Sequence, residues 1–480
     1  MRLNDLLQDI KHQGNSENRE VDAIAYDSRK VRPGTLFVAI KGHISDGHDY
    51  INGALSNGAV AVISNGRSLP VLPVPLVRVR DPRRTLSQLA ANFYGHPSRQ
   101  MEIYGVTGTN GKTTTTYLIN TLLNQSGIPC GTLGTLGFST PTGMVSTGFT
   151  TPEAVEVQQL LGTLLKGGIH HVAMEMSSHA LVLHRVADVE TQVAVFTNLS
   201  SEHLDFHGSL ESYFKAKLKL FRDLGPERLA VLNADDPYSD RIRKATPARV
   251  VTFGFNPKAD IRPKHFELNI SGIEAELITP SGEISVHSSL IGRFNLANIM
   301  AACAVALEAK LTPEQISTSL PRLVSIPGRM ERIKNSTPGE VLVDYAHTPD
   351  AYYQVLTMVK ELLPEGTKII TLFGCGGDRD RTKRPLMARM AERYSKHTIV
   401  TSDNPRHEDV RDICADINSG FLYDKHETIL NRVDAIKHGM EMLDESSILL
   451  ILGKGRDDYE QVGDHKMTHS DIETVEGYGR

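Results

Sequence analysis

The segment 103–123 constrains the fold more than any other part of the chain. A short apolar run, Ile103 to Val106, leads into a loop rich in glycine and threonine, and a helical pattern follows over 117–123. A strand, a glycine-bearing loop and a helix in this order gather backbone N–H groups at a helix N-terminus, where they bind phosphate oxygens. The segment therefore predicts a nucleotide-binding α/β domain.

The loop supplies the residue types that a nucleoside triphosphate needs. Its candidate nucleotide contacts are Gly108, Thr109, Asn110, Gly111, Lys112, Thr113 and Thr114. The Lys112 ammonium is placed to reach the terminal phosphates, and the Thr113 hydroxyl is placed to bind Mg²⁺. The general phosphate-loop pattern requires its first glycine at position 106, which is Val106, whereas the glycine stands at Gly105. This departure weakens an assignment to NTPases in general.

Apolar runs alternate with helical patterns along nearly the whole chain, which is typical of βα units and mostly parallel sheets. A chain of 480 residues is too long for one hydrophobic core and predicts about three domains. Turn residues at 94–98 and 325–328 indicate the boundaries, so we predict domains over 1–98, 99–326 and 327–480. The expected strands are 36–40, 59–63, 103–106, 171–175, 193–197, 229–232, 341–344, 369–373, 398–401 and 448–452, with an antiparallel pair within 266–278.

Composition excludes several other classes of protein. The formal net charge of -5, without any run of Lys and Arg, argues against a dedicated nucleic-acid-binding protein. The cysteines lie far apart, at Cys130, Cys303, Cys375 and Cys414, so free buried thiols are expected rather than disulfides or a zinc site. The N-terminus lacks the apolar core of a signal peptide, and no run of about 18 apolar residues occurs. We expect a monomeric cytoplasmic enzyme that acts on small molecules, with no membrane partner.

Two further strand ends carry side chains that bind cations. Glu175 ends the apolar run 171–175, and His203 follows the run 193–197. Open α/β sheets bind ligands at the carboxyl ends of their strands, so both residues are candidate neighbours of the phosphate loop. Taken singly, the glutamate is equally well explained as a helix cap, and the histidine as a solvated loop residue.

Taken together, these segments resemble the Mur ligase family. The run GTNGKTT at 108–114 is the form found in Mur ligases and folylpolyglutamate synthetases. The run TNLSSEHLDFH at 197–207 is similar to the family's TNLSRDHLDYH, with departures at Ser201, Glu202 and Phe206, and AKLKLF at 216–221 is similar to its AKxxLF segment. The resemblance implies a three-domain α/β fold with a phosphate-loop central domain and a Rossmann-like C-terminal domain. It also implies ATP as co-substrate and two Mg²⁺ ions.

The resemblance assigns the central chemistry to a small group of residues. It implies catalytic roles for Lys112, Glu175, His203 and Lys217, and metal contacts for Thr113, Glu175, His203 and Lys217. Lys217 would act as a carbamate, N6-carboxylysine, because a neutral amine that takes up CO₂ becomes an anionic, carboxylate-like ligand. From composition alone, Lys217 would be a solvated helix lysine.

The resemblance also implies contacts for the two substrates that carry a nucleotide, the UDP-linked dipeptide and ATP. DSR at 27–29, LFVAIKG at 36–42 and DGH at 46–48 are similar to the family's uridine-nucleotide domain. The contacts implied for a UDP-N-acetylmuramoyl dipeptide are Ser28, His43, Ile44, Ser45, Thr150, Thr151, Ser177 and Arg185. Hydroxyls and an arginine suit the phosphates and carboxylates of such a substrate. Further ATP contacts are implied for Asn295, Arg329 and Asp344.

The C-terminal segment carries a signature of the amino acid that is added. DNPR at 403–406 is the form found in Mur ligases that add meso-diaminopimelate, and lysine-adding relatives lack its arginine. Diaminopimelate carries a carboxylate where lysine ends in an amine, so an arginine fork favours the former. The implied contacts are Arg379, Asp403, Asn404, Pro405, Arg406, Gly453 and Asp457. Asp457 replaces the glutamate of the family's GKGHE motif, so either it or the neighbouring Asp458 would hold the distal ammonium.

The expected activity is therefore ATP-dependent amide formation. ATP would phosphorylate the D-glutamate γ-carboxylate of the dipeptide, and the diaminopimelate amine would displace the phosphate. Two alternatives stay open. A folylpolyglutamate synthetase-like ligase shares the nucleotide loop but needs neither the N-terminal domain nor the DNPR run. A catalytically silent nucleotide-binding regulator is consistent with the changes at Ser201, Glu202 and Asp457.

Overall fold

The computed structural model describes residues 1–14, 17–42, 45–67, 69–140, 143–145, 149–322 and 325–479. The helices are α1 Leu3–Leu6, α2 Ile51–Ser56, α3 Pro82–Tyr94, α4 Lys112–Gln125, α5 Ala154–Lys166, α6 Ser178–Val182, α7 Leu204–His207, α8 Leu210–Arg222, α9 Ser239–Ala245, α10 Arg293–Glu308, α11 Pro313–Ser319, α12 Pro349–Leu362, α13 Lys383–Tyr394, α14 Val410–Asn418, α15 Arg432–Glu441 and α16 Asp471–Glu476. The strands are β1 Ala23–Ala25, β2 Thr35–Val38, β3 Ala59–Ser64, β4 Leu76–Arg78, β5 Glu102–Thr107, β6 Cys130–Gly134, β7 Gly137–Thr140, β8 Gly143–Val145, β9 His171–Glu175, β10 Val193–Phe196, β11 Leu229–Asn233, β12 Arg249–Phe253, β13 Arg262–Asn269, β14 Gly272–Thr279, β15 Gly282–Ser288, β16 Glu331–Ile333, β17 Glu340–Asp344, β18 Lys368–Phe373, β19 His397–Val400, β20 His426–Thr428, β21 Ser447–Leu452, β22 Tyr459–Val462 and β23 His465–Thr468.

The chain divides into two compact units, and each is described by itself. The first comprises 1–259 with 301–310, and the second comprises 260–300 with 311–480. The predicted strands are confirmed in both units, with small shifts at their ends. The predicted domain boundaries near 98 and 326 stay predictions.

A four-stranded parallel sheet, in the order β1-β2-β3-β4, opens the first unit. Its face buries Leu36 and Val38 in one apolar cluster with Leu86 and Leu89 of α3. The α3 helix begins where the Asp81 carboxylate accepts hydrogen bonds from two backbone N–H groups of its first turn. This small α/β layer is the predicted N-terminal region.

The larger sheet of the first unit places the phosphate loop at its centre. Its strand order is β12-β11-β10-β5-β9-β6-β7-β8, parallel from β12 to β6 and antiparallel at the β7 and β8 edge. The central strand β5 is buried at all but its first residue, as expected for a strand that is covered on both faces. The carboxyl ends of β5, β9 and β10 therefore lie side by side.

The second unit contains an antiparallel sheet and a mostly parallel one. The strands β13, β14 and β15 form an antiparallel meander, which includes the predicted antiparallel pair. The six-stranded sheet has the order β16-β17-β21-β18-β19-β20, and only β16 runs antiparallel. One apolar cluster packs α12, α13 and α14 on this sheet, and another packs α15 and α16 on it. Helices on both faces of a parallel sheet are typical of a Rossmann-like domain.

All four cysteines are free and buried, as predicted. In the part of the chain described above, no helix is both long and apolar enough to span a bilayer.

Candidate functional site

The phosphate loop is held in place by the segment that follows β10. The backbone N–H of Thr109 donates to the Asn198 carbonyl at 2.9 Å, and the N–H of Asn110 donates to the Asn198 side chain at 2.9 Å. The Thr197 hydroxyl donates to the Asn110 carbonyl at 2.6 Å. Gly108 has φ +156°, and a Cβ there would collide with the Thr197 hydroxyl, so this close approach requires glycine. The loop then enters α4 at Gly111, whose φ is +84°.

Two lysines converge on the loop backbone. The Lys112 ammonium donates to the carbonyls of Gly108 and Thr109 at 3.1 and 2.7 Å. Lys217, on α8, donates to the same Gly108 carbonyl at 2.6 Å and lies 4.3 Å above the Tyr213 ring. Only 1% of Lys217 is exposed, and burial, together with the charge of Lys112, holds the pKa of its amine well below the usual range. Losing the proton therefore costs Lys217 less than it costs an exposed lysine.

Glu175 ends β9 beside α4. Its carboxylate is 1% exposed and accepts hydrogen bonds from the N–H and the hydroxyl of Thr135, at 2.7 and 3.2 Å. Glu175 and Thr113 line one small pocket with Thr116, Tyr117, Thr132, Gly134, Leu136 and Gly137. The structure thus brings two of the predicted metal contacts, a hydroxyl and a carboxylate, to a shared cavity.

His203 lies in a cluster of aromatic and imidazole rings. Its ring is 4.9 Å from that of His179 and 6.1 Å from that of Tyr213, measured between centroids. Burial lowers the pKa of His203, and the charge of Lys112 lowers it further against the opposing charge of Glu202. The imidazole is therefore neutral near pH 7, which is the form that binds metal ions. Its backbone is left-handed, with φ 56°.

The predicted dipeptide contacts of the central region lie next to Glu175. The Thr151 hydroxyl donates to the Glu175 carbonyl at 2.8 Å, and the hydroxyl oxygens of Thr150 and Thr135 lie 3.1 Å apart. Arg185 donates to the Thr151 carbonyl at 2.9 Å and forms an ion pair with Glu153 at 2.7 Å.

The remaining dipeptide contacts occupy turns. The Ser177 hydroxyl accepts the N–H of Ala180 at 3.2 Å and so caps α6. In the N-terminal layer, the Ser28 carbonyl accepts from the Asn57 side chain at 3.1 Å. The Ser45 carbonyl accepts the N–H of Gly42 at 2.8 Å. His43 and Ile44 lie outside the described residues.

Three predicted ATP contacts lie in the second unit: Asp344, Arg329 and Asn295. The buried Asp344 carboxylate ends β17 and accepts the N–H groups of Met330 and Ala346, both at 2.7 Å. Burial raises the pKa of Asp344, and the neighbouring Arg329 charge opposes this. The Arg329 guanidinium lies 4.7 Å above the Tyr345 ring. Asn295, in the first turn of α10, is buried and donates to the Ile291 carbonyl at 2.8 Å.

The two predicted carboxylate-binding arginines lie together. Arg406 donates to the Gly377 carbonyl at 2.8 Å. A Cβ placed on Gly376 would lie 2.9 Å from the Arg406 guanidinium and 3.7 Å from Cγ of Arg379, so both side chains flank this glycine. Arg379 is exposed. The loops after β18 and β19 therefore place two arginine side chains beside the same glycine.

A buried lysine organises the rest of the DNPR loop. Lys454 donates to the Asn404 side chain at 3.1 Å and lies 4.0 Å from the Asp403 carboxylate. The Asn404 side chain also accepts the N–H of Gln461 in β22, at 2.8 Å. Neither Lys454 nor the β22 strand was predicted to take part, although Lys454 lies inside the GKGRD motif, which was the available signal.

The remaining predicted diaminopimelate contacts are Asp457, Pro405 and Gly453. The N–H of Asp457 donates to the Lys454 carbonyl at 3.0 Å. Burial raises the pKa of Asp457 to about 6, an effect that Lys454 reduces and Asp403 reinforces. Pro405 is buried, and the N–H of Gly453 donates to the Asp344 carbonyl at 3.1 Å. Thus the loops after β17, β18, β19 and β21 meet at one edge of the sheet.

Comparison with known proteins decides the family. Three family models match the chain: "Mur ligase family, catalytic domain" over 20–94, "Mur ligase middle domain" over 106–306 and "Mur ligase, glutamate ligase domain" over 328–455. A protein of Geobacter sulfurreducens, named UDP-N-acetylmuramoyl-L-alanyl-D-glutamate--2,6-diaminopimelate ligase, is 42% identical over 98% of this chain and 97% of its own length. The chain belongs to the Mur ligase family.

Solved structures confirm the predicted fold of this Mur ligase. A structure of a UDP-N-acetylmuramoyl-L-alanyl-D-glutamate--2,6-diaminopimelate ligase has a TM-score of 0.71 and 32% identity, covering 99% of this chain and 98% of that one. The Mycobacterium tuberculosis folylpolyglutamate synthase, complexed with ADP and AMPPCP, has a TM-score of 0.65 and 18% identity, covering 77% of this chain and 92% of its own. At that identity the second likeness shows a shared fold alone.

Proposed function

We propose that this Mur ligase joins meso-diaminopimelate to the D-glutamate γ-carboxylate of UDP-N-acetylmuramoyl-L-alanyl-D-glutamate, coupled to ATP cleavage, during peptidoglycan precursor synthesis in the cytoplasm. The observation that supports it best is the loop group at the edge of the second unit's sheet. There Arg379 and Arg406 flank Gly376, and the carboxylates of Asp403 and Asp457 lie around Lys454. Two cations and two carboxylates suit an amino acid with two carboxylates and two ammonium groups.

The phosphate loop fits the ATP part of the reaction. Lys112 lies against the loop backbone, at the N-terminus of α4, where a triphosphate would meet both its charge and the backbone N–H groups. If the Lys112 ammonium moved from the Gly108 and Thr109 carbonyls to the phosphates, it would donate to charged acceptors in place of neutral ones. Lys112 would thereby stabilise the charge on the terminal phosphates as the phosphoryl group is transferred.

The donor set of the first unit fits Mg²⁺. Hard oxygen ligands are those that this ion prefers, and Thr113 and Glu175, which carry a hydroxyl and a carboxylate, line the same pocket. His203, which is neutral near pH 7, and a carbamate on Lys217 would complete the ligands for two ions. When bound, the ions would offset negative charge on the phosphates.

The surroundings of Lys217 support the carbamate. The amine is buried among Gly108, Tyr213 and Lys112, so an ammonium there would be poorly solvated and would repel a second cation. A neutral amine adds through its nitrogen lone pair to the carbon of CO₂ and loses one proton to water. The product is an anion, which a neighbouring lysine and a metal ion would both stabilise.

The proposed reaction has two chemical steps, phosphoryl transfer and amide formation. A γ-carboxylate oxygen of the substrate attacks the terminal phosphorus, the bond to the bridging oxygen breaks, and ADP leaves. The diaminopimelate nitrogen then attacks the acyl carbon, loses a proton, and the carbon–oxygen bond to phosphate breaks. Arg185 and Thr151, beside Glu175, would hold the substrate in place for the first step.

Phosphate release by the purified chain tests this function. The reaction mixture contains ATP, Mg²⁺ and the UDP-muramoyl dipeptide, with either meso-diaminopimelate or L-lysine as the acceptor. We expect release that depends on diaminopimelate and is much slower with lysine. Preference for lysine would overturn the acceptor, and failure to cleave ATP with either amino acid would favour a silent nucleotide-binding protein.

A further inference from the structure

A buried ion pair lies beneath the loops that carry the proposed diaminopimelate contacts. Arg432, the first residue of α15, donates from Nε and Nη2 to the two carboxylate oxygens of Asp471, each at 2.7 Å. Asp471 is the first residue of α16, and both side chains are 1% exposed. The His469 imidazole lies 2.7 Å from the same carboxylate. The Asp471 carboxylate thus has three nitrogen partners.

The same residues bind the backbone at three points. Arg432 donates to the carbonyls of Ser402 and Leu452, at 3.0 and 3.2 Å. The backbone N–H of His469 donates to the Asp458 carbonyl at 3.0 Å.

Each of these carbonyls adjoins a proposed substrate contact. Ser402 precedes Asp403, Leu452 precedes Gly453, and Asp458 follows Asp457. Three loop segments are therefore connected through one carboxylate, although none of the connecting side chains was assigned to the site.

The chemistry of the pair favours a geometric role over a purely stabilising one. A fully buried ion pair contributes little net stability compared with apolar residues of similar volume, because both charges lose their hydration. An arginine, however, offers five donors in a rigid plane, which is enough to hold a carboxylate and two carbonyls at fixed directions. Burial would raise the pKa of Asp471, but Arg432 and His469 hold it well below its usual range. The pair therefore stays charged under ordinary conditions.

We infer that Arg432, Asp471 and His469 are positioning residues that set the spacing of the three loops around the amino-acid substrate. This inference rests on the proposed function. Breaking the network would let the loops at 403, 453 and 457 shift relative to one another. Most of the proposed ATP contacts lie in the phosphate loop, in the other unit, and the Asp344 carboxylate is held separately by the N–H groups of Met330 and Ala346. The effect should therefore fall mainly on the binding of the amino acid.

The test compares KM values for the three substrates in variants of the full chain. For Asp471→Asn we expect the KM for diaminopimelate to rise about tenfold or more, since small misplacements cost up to about 100-fold. The KM values for ATP and the UDP-muramoyl dipeptide should change less than about twofold. Arg432→Lys keeps the positive charge but loses the planar guanidinium. Its KM for diaminopimelate should lie between those of Asp471→Asn and the parent chain.

Two further variants keep the test decisive. His469→Ala leaves the Arg432–Asp471 pair in place, so it should fold even if Asp471→Asn does not, and it should raise only the KM for diaminopimelate. Lys368→Gln breaks a 2.6 Å ion pair with Asp444 at the opposite end of the same sheet, and should leave all three KM values unchanged.

Four results separate the possible failures. Equal effects on all three KM values, or none in any network variant, would overturn the inference. So would a matching change in Lys368→Gln. A parent chain that makes no diaminopimelate product would instead overturn the proposed function.

Discussion

Lys112 and Lys217 donate to one backbone oxygen, the carbonyl of Gly108, at 3.1 and 2.6 Å. Two ammonium groups so close together would repel each other, and one of them is buried. The repulsion between the two amines is therefore removed when Lys217 is neutral, or when CO₂ has converted it into an anion. This pair links the phosphate loop to the proposed metal site.

Replacing Lys217 should abolish most of the activity. Lys217→Ala removes the carbamate, and we expect the turnover number to fall about 100-fold or more, the scale of losing one electrostatic group in an active site. ¹³C NMR with labelled bicarbonate should show a carbamate signal in the parent chain and none in this variant. Lys215→Ala, on the exposed face of the same helix, is the control. Retention of the carbamate signal in Lys217→Ala would place the modification elsewhere.

Glu175→Gln should weaken the response to Mg²⁺. The amide keeps the shape of the side chain near Thr135 but loses the negative charge. Loss of groups that merely support a metal ligand costs about 10- to 100-fold in affinity, so we expect at least that rise in the Mg²⁺ concentration for half-maximal rate. A Mg²⁺ titration measures it, with Glu102→Gln at the other end of β5 as control. An unchanged titration would exclude Glu175 as a ligand.

Arg406→Ala should reduce the discrimination between amino acids. Losing a charged hydrogen bond costs about 2 kcal/mol, or about 30-fold in kcat/KM for diaminopimelate. The rate with L-lysine should change far less, because lysine lacks the second carboxylate. The measurement is the ratio of kcat/KM for the two acceptors, and Arg411→Ala, on an exposed arginine of α14, is the control. A constant ratio would contradict the role of Arg406.

The affinity for diaminopimelate should fall in mild acid. Burial raises the pKa of Asp457 to about 6, so its carboxylate is ionised above that pH and protonated below it. Because the charged form would hold the distal ammonium, the KM should rise by up to tenfold per unit as pH falls below about 6. Asp457→Asn should remove this dependence, whereas Asp458→Asn should keep it. The reverse pattern would assign the ammonium to Asp458.

The parts of this fold that the sequence predicted depend on local pattern. The strands at 103–106, 171–175 and 448–452 are short, mostly apolar runs, and each is followed by a loop with polar or glycine residues. Such runs specify buried strands because both faces are covered. The phosphate loop could also be predicted, because the spacing of its glycines and lysine lies within one short segment.

Other features depend on contacts between distant segments. Composition made Lys217 a solvated residue, yet Tyr213, Lys217 and Phe221 are spaced by four and share the buried face of α8. That periodicity was readable in advance. The hydrogen bonds of Thr135 to Glu175 and of Arg432 to Asp471 were not, because the partners lie 40 and 39 residues apart. The substrate contacts assigned by resemblance stay predictions.

The most direct test of the whole account is a competition for a single product. The purified chain is given ATP, Mg²⁺, the UDP-muramoyl dipeptide and equal amounts of meso-diaminopimelate and L-lysine, and the UDP-linked products are identified by mass spectrometry. The account predicts one product, extended by a diaminopimelate residue, with one ADP and one phosphate formed for each amide. A product extended by lysine, or ATP cleavage without any amide, would contradict it.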